Sequence, residues 1–118
     1  MHFSPRFMAL DTPICDAQSN HMKAIRIFYD KALLPDGAVV EMTIWQLPRA
    51  TLERPHGLKY SLFYGFDGQR IVGYDSEHGK GDHKHLGVLE TRYKFETVDK
   101  LNADFLQDVE RMKNEPHP

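Results

Sequence analysis

Between Ala38 and Phe66 the chain repeats one pattern. Val40, Met42 and Ile44 alternate with Glu41, Thr43 and Trp45; then Leu58, Tyr60, Leu62 and Tyr64 alternate with Lys59, Ser61 and Phe63. A period of two sends alternate side chains to opposite faces of an extended strand, so each segment offers one apolar face to a core. Asp67-Gly68 separates the second run from Arg70-Ile71-Val72-Gly73-Tyr74. An Asp-Gly pair between two strand-like runs is a hairpin signal, because both residues tolerate the positive φ that a tight turn requires.

The flanking segments extend this sheet. Lys23 to Tyr29 mixes β-branched and aromatic residues with charges at alternating places. Leu33-Leu34-Pro35-Asp36-Gly37 reads as a turn, with Pro presetting φ and Gly accepting a positive one. Pro48 to Gly57 reads as a loop, Asp75 to about Gly87 as a second, polar loop, and Glu90 to Phe95 as a short last strand. From Thr97 the period changes. Val98, Leu101, Phe105, Val109 and Met112 recur at three- and four-residue intervals, the stripe of an amphipathic helix. Thr97 is placed to cap it, Asp99 falls in its first turn, and Arg111 and Lys113 close it with the charge its dipole favours. The expected fold is α+β: an antiparallel sheet of four or five strands packed on one face by a single C-terminal helix.

Size and composition narrow the function. One hundred and eighteen residues make one domain, large enough to fold without a metal or disulfide. Hydrophobic residues are 41% and charged residues 27%, which excludes a wholly disordered chain, and no apolar run approaches the length of a membrane span. Fifteen basic residues against seventeen acidic argue against coating nucleic acid by bulk charge, so contact with RNA has to come from a local site. One cysteine, Cys15, leaves no internal disulfide and no multi-thiolate zinc site, and fits the cytoplasm. Residues 1–21 carry no sustained periodicity and read as a flexible extension, with Met22 as a candidate natural start. Residues 22–113 form the expected domain and 114–118 a frayed tail.

Chemistry concentrates in one stretch. Tyr74-Asp75-Ser76-Glu77-His78-Gly79-Lys80-Gly81-Asp82-His83-Lys84-His85 holds three of the seven histidines with carboxylates, lysines and two glycines. Three readings of it stay open. It is a solvated polar loop. It is a metal site of mixed oxygen and nitrogen donors, drawn from Asp75, Glu77, Asp82, His83 and His85. Or it is an acid–base centre for phosphodiester cleavage, which needs a proton acceptor, a proton donor and a cation for the developing phosphorane charge. On this last reading His83 and His85 are the proton-transfer pair, Lys80 stabilises charge, and Asp82 or Asp75 orients a histidine. Tyr74, Arg70, Lys84 and Glu77 line the substrate.

Weaker candidates surround it. Arg49, Arg54, His56 and Lys59 form a basic stretch suited to a phosphate backbone or simply to a solvated loop. Tyr60, Tyr64, Phe66 and Trp45 suit base stacking or the core, and core is the commoner fate. His2, His21 and His117 fall in the expected tails, and Cys15 has no neighbour that would activate it.

Several runs resemble the TumE family of toxins: Pro35-Asp36-Gly37-Ala38, Glu41 to Pro48, Lys59 to Gly65, and above all Gly73 to His85, with Ala103 to Glu110 similar to the family's closing helix. The resemblance runs from about Met22 to about Met112. It implies a small cytoplasmic toxin of a toxin–antitoxin pair whose partner is a helix-turn-helix antitoxin. Joined to the residue chemistry, it leads us to expect RNA cleavage by metal-independent acid–base catalysis, without cofactor or membrane. The alternatives are a metal-dependent nuclease or nucleotidyl-transferring enzyme using Asp75, Glu77, Asp82 and His85, or a non-enzymatic binding module.

Overall fold

Asp67 and Gly68 adopt φ values of 55° and 79°, so the predicted turn closes its hairpin tightly. The computed structural model describes residues 23–77 and 79–114. Cys15, Met22, His2, His21, His78 and His117 lie outside them, as do the expected extension and residues 115–118.

Among the described residues six strands follow one another as β1 (Ile25–Leu33), β2 (Val39–Gln46), β3 (Leu58–Phe66), β4 (Gln69–Glu77), β5 (Gly81–Leu86) and β6 (Leu89–Arg92). They pair antiparallel in sequence order, and the helix α1 (Val98–Asn114) closes the series. The class is as the pattern predicts, with six strands where four or five were expected. The difference lies in the polar segment read as a loop. Gly79 and Gly81 take φ of 88° and 78°, the left-handed region that favours glycine, so the chain doubles back and 81–86 pairs with β4. The last strand accordingly starts at Leu89 and ends at Arg92.

One face of the sheet is the core. Val40, Met42 and Ile44 of β2, Leu58, Tyr60, Leu62 and Tyr64 of β3, and Val72 and Tyr74 of β4 are buried with Leu101, Phe105 and Val109 of α1. Tyr60 and Tyr64 are therefore core residues rather than a stacking platform. The helix starts where its cap lies: the Lys100 amide donates to Thr97 Oγ1 at 3.0 Å. Its apolar stripe then covers the sheet, and burying a side chain such as Phe105 stabilises by about 1.5–3 kcal/mol.

Several polar groups between this face and the helix are paired. The Tyr74 hydroxyl donates to Asp108, and Lys84 Nζ lies 3.3 Å from the same carboxylate. Tyr93 donates to Asp104 at 2.7 Å. Burial first, and the Asp108 carboxylate second, push the Tyr74 phenol far above its ordinary value, so it stays a donor. The Tyr74 ring meets Tyr93 and Phe105 edge-on at 4.9 Å and 5.7 Å between centroids. These contacts clamp β4 and β5 to the helix.

Candidate functional site

Residues directly opposite in an antiparallel pair share a face. Asp75 faces His83 across β4 and β5, and Gly73 faces His85. His83 faces Arg92 across β5 and β6, and His85 faces Glu90. This is the side of the sheet away from α1. Spacing of two on β5 puts both histidines on it, with ring centroids 5.0 Å apart.

His83 is the centre of the group and is 4% exposed. Its Nδ1 lies 3.1 Å from the Gly81 carbonyl, which fixes that nitrogen as the N–H donor. Its Nε2 lies 2.8 Å from Asp75 Oδ1, 3.5 Å from Glu77 Oε1 and 3.6 Å from Glu90 Oε2. Lys80 Nζ holds Glu90 at 3.0 Å. That bond keeps the Glu90 carboxyl below its ordinary value and raises Lys80. His85 lies 4.0 Å from Glu90; its burial, then the positive Arg70, hold the imidazole below its ordinary value, hence neutral at pH 7. Asp75, His83 and His85 each offer one donor atom within 4.8 Å of the others, the arrangement that could hold a metal ion.

Arg70 reaches this centre because position 73 is glycine. A Cβ on Gly73 would stand 2.5 Å from Arg70 Cδ, so the bare backbone is the bed on which the arginine stem lies. Gly65 does the same for Phe63, whose ring would meet a Cβ there at 2.5 Å.

The nine residues singled out from the sequence thus divide between two faces and the turn. Asp75, Glu77, His83 and His85 come together on the open face, with Arg70 across it and Lys80 at its edge through Glu90. Tyr74 and Lys84 belong to the clamp beneath α1. Asp82 is also on the covered side. Its two carboxylate oxygens meet His56 Nε2 at 3.0 Å and 2.8 Å, while the Leu58 amide donates to His56 Nδ1. His56 is thereby fixed with its proton on Nε2, and the histidine that Asp82 orients is this one. Arg54 of the basic stretch donates to the Ser76 carbonyl at 3.2 Å, and Glu53 accepts from the Gly79 amide at 3.1 Å, so the loop after β2 braces the hairpin. Glu90 is a site residue the sequence reading passed over. Its signal was the two-residue Gly87-Val88 connection, which sets Leu86 opposite Leu89 and hence His85 opposite Glu90.

Fold and site together define a small single-sheet α+β protein with a histidine–carboxylate centre, flanked by an arginine and a lysine, on the sheet face opposite its helix. The family model described as Toxin TumE matches residues 14–113, a span that includes every described strand and all but the last residue of α1, and the chain belongs to that family. It is a toxin of a toxin–antitoxin system. Comparison with curated proteins and with solved structures gave no match. Among the described residues no helix is long and apolar enough to cross a membrane.

Proposed function

We propose that this toxin acts by cleaving RNA at the open-face centre of Asp75, His83 and His85, with Arg70 and Lys80 binding the phosphate. The observation that carries the reading is the convergence of two strand-borne histidines and a carboxylate beside two cationic side chains. Cleavage at a ribose requires the 2′-oxygen to bond to phosphorus as the bond from phosphorus to the 5′-oxygen breaks. The 2′-hydroxyl proton passes to the centre, and the leaving 5′-oxygen takes a proton from it. Arg70 and Lys80 offset the charge that builds on the non-bridging oxygens in between. Glu90 positions Lys80, Gly73 beds Arg70, and Glu77 and Glu90 flank His83. The toxin meets RNA in the cytoplasm, and a helix-turn-helix antitoxin is the partner that the family resemblance implies.

Purified protein incubated with total RNA tests this. Wild type is expected to cleave, and His85→Ala is expected to lose about 10²–10⁴-fold in rate, the usual contribution of one proton-transfer group. Intact RNA after incubation with folded wild type, or full activity in His85→Ala, would overturn the assignment.

A further inference from the structure

We propose that Asp75, His83 and His85 form a binding site for one divalent first-row transition cation, with Mn²⁺ and Zn²⁺ the ions its donors suit. This rests on the open face being the reacting site and names what its centre holds.

The first argument is the orientation of His83. With its Nδ1 proton directed at the Gly81 carbonyl, the ring turns Nε2 toward Asp75 and His85. Histidines that bind metals are oriented in this way, by a carbonyl or carboxylate on the far nitrogen. The second is an unsatisfied pair. His83 Nε2 and Asp75 Oδ1 are shut off from solvent and 2.8 Å apart, close enough for an ion pair, yet neither makes a well-directed hydrogen bond. Buried polar atoms left without a hydrogen bond are costly, and a cation in front of both would satisfy them. Their spacing fits one: two ligands bound at about 2.1 Å and at right angles stand about 3.0 Å apart.

Charge gives the third argument. Three carboxylates surround His83 Nε2, and Lys80 pairs with only one of them, Glu90. Asp75 and Glu77 leave the centre negative where a phosphate must approach. A bound divalent cation reverses that sign. The donor set chooses among ions: two imidazoles and one carboxylate suit Mn²⁺ or Zn²⁺, whereas Mg²⁺ and Ca²⁺ favour oxygen alone. Asp82, facing His56 on the other side of the sheet, takes no part. With an ion bound, Asp75, His83 and His85 would hold the metal rather than exchange protons themselves, in place of the metal-independent chemistry expected from the residue types and the family resemblance.

The test uses the full chain, freed of metal and then titrated. Mn²⁺ binding is followed by electron paramagnetic resonance and Zn²⁺ binding by calorimetry; RNA cleavage is assayed separately with and without chelator. We expect one ion per chain, histidine nitrogen coupling in the Mn²⁺ spectrum, and binding weakened at least about tenfold by His85→Ala and by the isosteric Asp75→Asn. Circular dichroism establishes that both variants are folded. Stoichiometric binding without RNA cleavage would uphold the metal site and refute the RNA reading. Cleavage that survives chelation, in a protein that binds neither ion, would overturn the metal site and leave the RNA reading standing. Binding unchanged in both variants would place any ion elsewhere and also overturn the site.

Discussion

Tyr74 separates two accounts of the central motif. Its position beside the histidines in sequence suggested contact with substrate, whereas its side chain lies 1% exposed under α1 and donates to Asp108. Tyr74→Phe keeps the ring, with its edge-on contacts to Tyr93 and Phe105, and deletes only the hydroxyl. Asp108 is left with Lys84 Nζ at 3.3 Å and an Arg111 nitrogen at 3.4 Å, so no buried charge is stranded. The loss is then one hydrogen bond to a charged group, about 1.5–3 kcal/mol. In a domain of this size each kcal/mol moves Tm by about 4–8 °C, so melting is expected about 6–24 °C lower. Circular dichroism melts give that shift, and RNA cleavage well below the lowered Tm gives the activity of the folded variant, expected to equal wild type. An unchanged Tm together with lost cleavage would refute the clamp and return Tyr74 to the substrate.

Two further expectations follow from named contacts. In Gly73→Ala the new Cβ evicts the Arg70 stem from its bed, so cleavage should fall toward that of Arg70→Ala, about 10²–10³-fold, with Tm nearly unmoved; equal activity in Gly73→Ala and wild type would show that the bed is not needed. Burial works to raise the Asp104 carboxyl, but Tyr93, Lys100 and Lys84 outweigh it and hold it below its ordinary value. Its stabilising contribution is therefore complete above the unfolded pKa, about 4, and is lost as pH falls through the lower folded value. Urea unfolding should show wild type more stable than Asp104→Asn at pH 6 and the gap closing in acid; a gap constant from pH 6 to pH 3 would contradict this.

The sheet and its helix were legible because their residues obey one period at a time. β2 and β3 alternate apolar with polar, the Asp67-Gly68 turn announces itself, and the stripe from Val98 to Met112 sits where α1 lies. β5 was not legible as a strand because both its faces are polar. His83 and His85 point to one side, Asp82 and Lys84 to the other, and the latter are satisfied by His56 and Asp108, remote in sequence. Nothing local tells such a strand from a solvated loop. Missing that strand also hid Glu90, whose place opposite His85 exists only once β5 and β6 are paired. The chemistry of the motif was visible in its composition; which of its members share a face was not.

β5 is a plate with a different duty on each side. Its Lys84 is bolted to the helix through Asp108, and the residues on either side of Lys84 carry the histidines of the open face. Whatever pulls α1 away from the sheet tugs the same short backbone that aligns His83 with Asp75. A partner gripping the helix would thus loosen the centre from behind, leaving the substrate side untouched and unblocked. Inhibition of that kind would lower turnover without competing with RNA.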